Sequence, residues 1–140
     1  MIGLDTNVIA RIVLADDAAQ TRQATAMLEA AQQRREEVSL SLPVVLELEW
    51  VLRSAAKLSK TAVITTLRHL LETELLQIEQ EGALEYALHL YEGSKADFAE
   101  CLFTAKYRMQ GCRVMASFDV QACKLDGVVL PGDLLEDIRR

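Results

Sequence analysis

Two short apolar runs in this chain each stop at an aspartate and pass straight into helical sequence. The first is Ile2-Gly3-Leu4, closed by Asp5-Thr6-Asn7 and followed by Val8, Ile9, Ile12 and Val13; the second is Val114 to Phe118, closed by Asp119. Strand-like runs alternating with helical spacing imply βαβ units, and these build a mostly parallel sheet covered by helices on both sides. The expected architecture is therefore an α/β/α sandwich with four to five central strands, formed by a single domain over residues 1–140. In open sheets of this kind, ligands gather at the carboxyl ends of strands, so Asp5 and Asp119 would share a crevice if their strands are neighbours. The plainer alternative is that Asp5 or Thr6 only caps the helix that follows.

Between these runs the punctuation is regular. Asp16-Asp17 opens a helix carrying Ala24, Met27, Leu28 and Ala31, which ends at Arg34-Arg35-Glu36-Glu37. Val38 to Leu42 alternates as a strand, and Pro43 opens a helix to about Ala56 with Val44, Leu48, Val51 and Ala55 as its apolar stripe. Ser59 caps a helix from Lys60 to about Glu72, Leu75 to Ile78 forms a short strand, and a helix follows from Glu81 to Tyr91. Asp97 starts the next helix, which Gly111 stops. Arg113 to Phe118 reads as a strand, Asp119 to Leu125 as a short helix, Val128 to Leu130 as the last strand, and Pro131 onward as a final helical turn or two.

A net charge of −6 argues against broad phosphate binding through a basic surface. If Asp5, Glu47, Asp97, Glu100 and Asp119 cluster, however, the remaining surface is close to neutral, and bound divalent cations would offset the cluster. The three cysteines, Cys101, Cys112 and Cys123, contain no C-x-x-C pair, so they suggest neither a disulfide framework nor a zinc site and are expected in the core. No apolar run reaches the roughly 18–20 residues of a membrane span, and the first motif begins at residue 1 and leaves no room for a signal peptide, so a cytoplasmic protein is expected.

The acids differ in their surroundings. Glu47 sits in P-V-V-L-E-L-E-W-V-L at the border of the apolar stripe, where a desolvated carboxylate needs a cation, hydrogen bonds or a proton. Glu49 has the i,i+4 spacing to pair with Arg53. Asp97, Glu100 and Thr104 recur at i, i+3 and i+7, one face of a helix whose other faces carry Phe98, Cys101, Leu102, Ala105 and Met109. Asp97 and Glu100 also have the spacing of a helix cap and its reciprocal partner. Arg11, Arg53, Lys57, Lys95 and Lys106 are candidate phosphate contacts, whereas His69 and His89 lie away from these motifs and read as packing or surface residues.

Taken together, L-D-T-N-V-I at Leu4–Ile9, L-P-V-V-L-E-L-E-W-V-L at Leu42–Leu52, D-F-A-E-C-L at Asp97–Leu102 and S-F-D at Ser117–Asp119 resemble the PIN-domain nucleases. Among these, the chain resembles the short VapC-type toxins of bacterial toxin–antitoxin pairs. The resemblance covers essentially the whole chain and implies an acidic quartet, Asp5, Glu47, Asp97 and Asp119, with Thr6, Asn7, Glu100 and Ser117 in support. Glu100 stands where the family usually has a second Asp, and Ser117 where Thr is frequent. The resemblance further implies Mg²⁺ or Mn²⁺ at the carboxylates, hydrolysis of RNA phosphodiesters, a homodimer and an antitoxin protein that blocks the site. Hard oxygen ligands agree with that choice of metal.

Other classes fit less well. A phosphatase of the haloacid-dehalogenase type needs an acid two residues after its nucleophile, where this chain has Asn7. A phospho-receiver needs an acidic pair at the end of the first strand, and Asp16-Asp17 lies too far along. No histidine, serine or cysteine is partnered to a base for triad chemistry. A PIN-like module that binds RNA or protein without cutting remains the alternative to a nuclease.

Overall fold

A computed structural model describes all residues, Met1–Arg140. The chain forms two compact units, Met1–Glu81 and Gly82–Arg140. In the first, strands β1 (Ile2–Gly3), β2 (Val38–Leu40) and β3 (Leu76–Ile78) form a parallel sheet in the order β1-β2-β3. Parallel neighbours require crossovers, and the helices supply them. Helices α1 (Thr6–Leu14) and α2 (Ala18–Gln33) connect β1 to β2. Helix α3 (Leu42–Trp50), a π-helical turn (Val51–Ala55) and helix α4 (Lys60–Glu72) connect β2 to β3. β2 lies centrally, with Val38 and Leu40 buried alongside Leu76 and Ile78 of β3, while Ile9, Val45, Leu48, Leu52, Val63 and Leu67 complete the core from the helices.

The helix boundaries follow from local chemistry. Asp17 Oδ1 accepts from Gln20 N–H at 3.0 Å at the start of α2, and Ser59 Oγ accepts from Ala62 N–H at 3.2 Å at the start of α4. Helix α3 lacks a side-chain cap of its own at Ser41; instead Glu79, just beyond β3, accepts from Leu42 N–H at 3.2 Å and ties the helix to the neighbouring strand's end.

The second unit begins within helix α5 (Glu81–Glu92) and continues through α6 (Phe98–Gln110), strands β4 (Met115–Ala116) and β5 (Val128–Val129), and α7 (Pro131–Arg139). β4 and β5 pair in parallel, with Met115 opposite Val128. Gly111 ends α6 at φ +91°, a left-handed conformation that costs glycine little. The rings of Tyr91 and Phe98 meet at 5.4 Å between α5 and α6, and Arg108 donates to Tyr86 Oη at 2.8 Å.

The α/β class is as expected, and every strand pairing is parallel; the five strands are divided between a three-stranded and a two-stranded sheet. Several boundaries differ from expectation. The strand expected over Arg113–Phe118 is confined to Met115–Ala116, the helix expected over Asp119–Leu125 is a 3₁₀ turn at Ala122–Lys124, and α7 is longer than the expected turn or two. Only Cys101 is buried; Cys112 is exposed and Cys123 half-buried, since the segments that carry them are short connections with little to pack against. No helix is long and apolar enough to cross a membrane.

The phase of α3 is also corrected. Its buried positions are Leu42, Val45, Leu48 and Glu49, followed by Leu52, so the apolar stripe is rotated away from Val44 and Val51. In a segment apolar on nearly every side, composition leaves the phase open and the neighbouring core decides it. Glu47 therefore faces outward and exposed, whereas Glu49 is 2% exposed and accepts from Arg53 Nε at 2.8 Å. Removing charge from a buried, hydrogen-bonded carboxylate should be felt in stability. Glu49→Gln is expected to cost about 1–3 kcal/mol and Glu47→Gln about 0.5 kcal/mol or less. Urea midpoints of the two variants measure this difference, and equal midpoints would contradict the assigned phase.

Candidate active site

Asp5 follows β1 directly and is the N-cap of α1, where its Oδ1 accepts from Val8 N–H at 3.0 Å. The capping alternative is thus realised, yet it engages one oxygen only; Oδ2 makes no hydrogen bond within the protein, and the residue is exposed. The next residue, Thr6, is buried and donates from Oγ1 to Glu47 Oε2 at 2.7 Å. This bond spans 41 positions of sequence and links the start of α1 to the middle of α3. Asp5, Thr6, Asn7 and Glu47, with Trp50 and Val51, line one cavity of about 380 Å³. Four sequence-predicted site residues are brought together there. The expectation that Glu47 borders the apolar stripe is overturned by the rotated phase of α3: its carboxylate is exposed and held by a hydroxyl donor, not desolvated.

The second unit holds the other acids. Asp97 is the N-cap residue of α6, but its side chain makes no capping hydrogen bond, which rules out the reciprocal capping arrangement with Glu100. Burial raises the pKa of Glu100 above its ordinary value, and the negative charges of Asp119 and then Asp97 push it in the same direction. The mutual repulsion places these three carboxylates in one electrostatic neighbourhood.

Asp119 sits in the turn after β4 and is held by its own loop. Its Oδ1 accepts from Ala122 N–H at 2.7 Å, and its N–H donates to Ser117 Oγ at 3.0 Å. Ser117 therefore shapes the turn that presents Asp119. Thr104 does not join the acids: it is buried and donates to the Glu100 carbonyl at 2.7 Å, one turn back along α6. Of the candidate phosphate contacts, Arg11 is held by Gln20 and Asp16, and Arg53 by Glu49. The spacing to Glu49 was visible in the sequence, while the Arg11 contacts depend on how α1 and α2 meet.

These donors suit a hard divalent cation. All are carboxylate or hydroxyl oxygens, several carboxylate oxygens are unengaged, and the potential that disfavours ionised Glu100 is one that positive charge would relieve. No three His, Cys, Asp or Glu side chains converge on a single preassembled ion position.

Because its folded-state pKa is raised, Glu100 favours folding fully below its unfolded pKa and loses that contribution as pH rises through the folded value. Without added metal, Glu100→Gln should therefore melt above the wild type near pH 7, and the gap should shrink as pH falls toward about 4. Melting temperatures across that range test this; a gap independent of pH would exclude the electrostatic cause.

A family model described as the PIN domain matches residues 2–128. Comparison with curated proteins gave no match. PIN domains are nuclease-type modules, and the matched span contains every acid described above. With that match covering all but the first residue and the last twelve, the chain belongs to the PIN-domain family.

Proposed function

We propose that residues 1–140 act as one PIN-like domain, a metal-dependent endoribonuclease, and that activity depends on Asp5, Glu47, Asp97 and Asp119. The observation that carries this reading is a shared arrangement. Asp5, Glu47 and Asp119 each have one carboxylate oxygen fixed by a hydrogen-bond donor of the protein, which leaves the other oxygen oriented and unengaged. Asp97 makes no side-chain capping hydrogen bond. A helix cap alone does not call for a buried Thr6 that donates to Glu47, nor for two like charges to stand near Glu100.

The residues proposed to hold Mg²⁺ or Mn²⁺ are Asp5, Asp97 and Asp119, with Glu47 binding or orienting a water. When bound, such a cation supplies positive charge to a phosphodiester and acidifies a water. Thr6 keeps the Glu47 carboxylate in one orientation, Ser117 sets the turn under Asp119, and Glu100 adds negative charge beside Asp97. Asn7, exposed on the first turn of α1, is a polar neighbour for the substrate or its water. The motifs shared with VapC-type toxins support a role as the toxin of a toxin–antitoxin pair, acting as a homodimer and inhibited by a cognate antitoxin.

Purified protein should cut RNA with Mg²⁺ or Mn²⁺ and not with EDTA. Asp5→Asn, Asp97→Asn and Asp119→Asn should each lose about 100-fold or more in kcat/KM, beyond the 10- to 100-fold typical of residues that only support a metal ligand. Glu29→Gln, on the exposed side of α2, should be unaffected and is a better control than the buried Glu49. Cutting that survives EDTA, or that Asp5→Asn leaves intact, would overturn the assignment. A protein that binds RNA and metal but cuts no RNA offered would be a binding module instead.

A further inference from the structure

Trp50 is the only tryptophan in the chain and is 58% exposed, although a large aromatic side chain gains more from burial than almost any other. A lone exposed hydrophobe needs no explanation by itself. This one has a specific setting. It lies three residues after Glu47 on the outward face of α3, opposite the stripe of Leu42, Val45, Leu48 and Glu49, and it lines the same cavity as Asp5, Thr6, Asn7 and Glu47. It is also the last α-helical residue before the π-helical turn, a widening that natural helices often carry at functional sites.

The cavity lining therefore combines two kinds of chemistry: the carboxylates of Asp5 and Glu47 with the amide of Asn7, and the indole of Trp50 with Val51. At about 380 Å³ it falls at the small end of ligand pockets, roughly 300–1,000 Å³. A ligand matching both has a flat π-system joined to an anionic group that tolerates acids only through a cation. We propose that Trp50 is the stacking platform for one unpaired base of single-stranded RNA, placed beside Asp5 and Glu47 of the N-terminal unit. The proposal rests on the nuclease reading above and adds a substrate-positioning residue to it. The stacking is tolerant of base identity, because every base has a π-face.

Since Trp50 is the sole indole, its emission reports this cavity alone. Short oligoadenylate and oligouridylate strands, added with Ca²⁺ in place of Mg²⁺, should quench that emission saturably, and the same sequences in a duplex should not. By anisotropy of labelled strands, Trp50→Ala should weaken binding about 5- to 150-fold, and Trp50→Phe should restore most of it. In cleavage assays the alanine variant should raise KM by a similar factor with kcat nearly unchanged, as expected when binding to ground and transition states is lost equally. Trp50 is exposed, so the variant should fold, and circular dichroism verifies this. Saturable quenching without cutting supports the stacking platform while the nuclease reading fails. Cutting with no quenching and an unchanged KM in Trp50→Ala overturns the platform and leaves the nuclease standing. Emission that shifts with protein concentration but not with RNA also overturns it, since Trp50 would then cover a protein contact.

Discussion

The hydrogen bond from Thr6 to Glu47 is the contact on which the N-terminal half of the site depends. β1 is only two residues long, so the strand by itself places the end of the chain weakly; pairing with β2 sets its register, and the Thr6 hydroxyl then fixes the start of α1 against α3. A buried hydroxyl left without a partner would cost about 1–3 kcal/mol, so the fold favours the orientation in which Glu47 meets it. The same bond that satisfies the fold thus aims a carboxylate, and Asp5, next in sequence to Thr6, is aimed by capping the same helix. Stability and site geometry are achieved here by the same two interactions.

Asp119 in the second unit follows the same logic by different means. Its loop has almost no regular structure, two strand residues before it and a single 3₁₀ turn after it, so the carboxylate is held by the N–H of Ala122, while the N–H of Asp119 itself donates to Ser117 Oγ. Glu100 shows the other side of that arrangement. Partial burial and two neighbouring carboxylates oppose its ionisation, so the site is strained electrostatically whenever all of its acids are charged. That repulsion, beside an Asp97 that makes no capping bond, is what a bound cation would relieve under the proposed function.

The sequence was most legible where one residue decides a local structure. Asp5 after an apolar run, Asp17 and Ser59 before helices, and Gly111 after one each did what their chemistry requires. It was least legible where a decision is made by tertiary packing. The segment Leu42–Leu52 is apolar on nearly every side, so neither its phase nor the π-helical turn at Val51–Ala55 was readable, and the buried glutamate was expected to be Glu47 when it is Glu49. An i,i+4 pairing with Arg53 is compatible with either a surface or a buried acid, and only the core around Leu48 and Leu52 selects between them. Strands of two residues, such as Met115–Ala116 and Val128–Val129, are too short to carry a period-two signal, which explains why their extent was overestimated.

Charge connects these observations to RNA. Counterion release from basic side chains normally dominates nucleic-acid affinity, and this chain, at net −6, has already engaged Arg11 and Arg53 with its own acids. Contacts that do not rely on these two arginines then matter more for affinity toward a polyanion. Two kinds are compatible with the residues present: a divalent ion that the carboxylates would hold, and an uncharged aromatic face for a base. The first alone would attract any phosphodiester, paired or unpaired. The second admits only bases free to leave their stack, so under the proposed stacking an exposed indole three residues from Glu47 would turn a general preference for phosphate into one for unpaired strands.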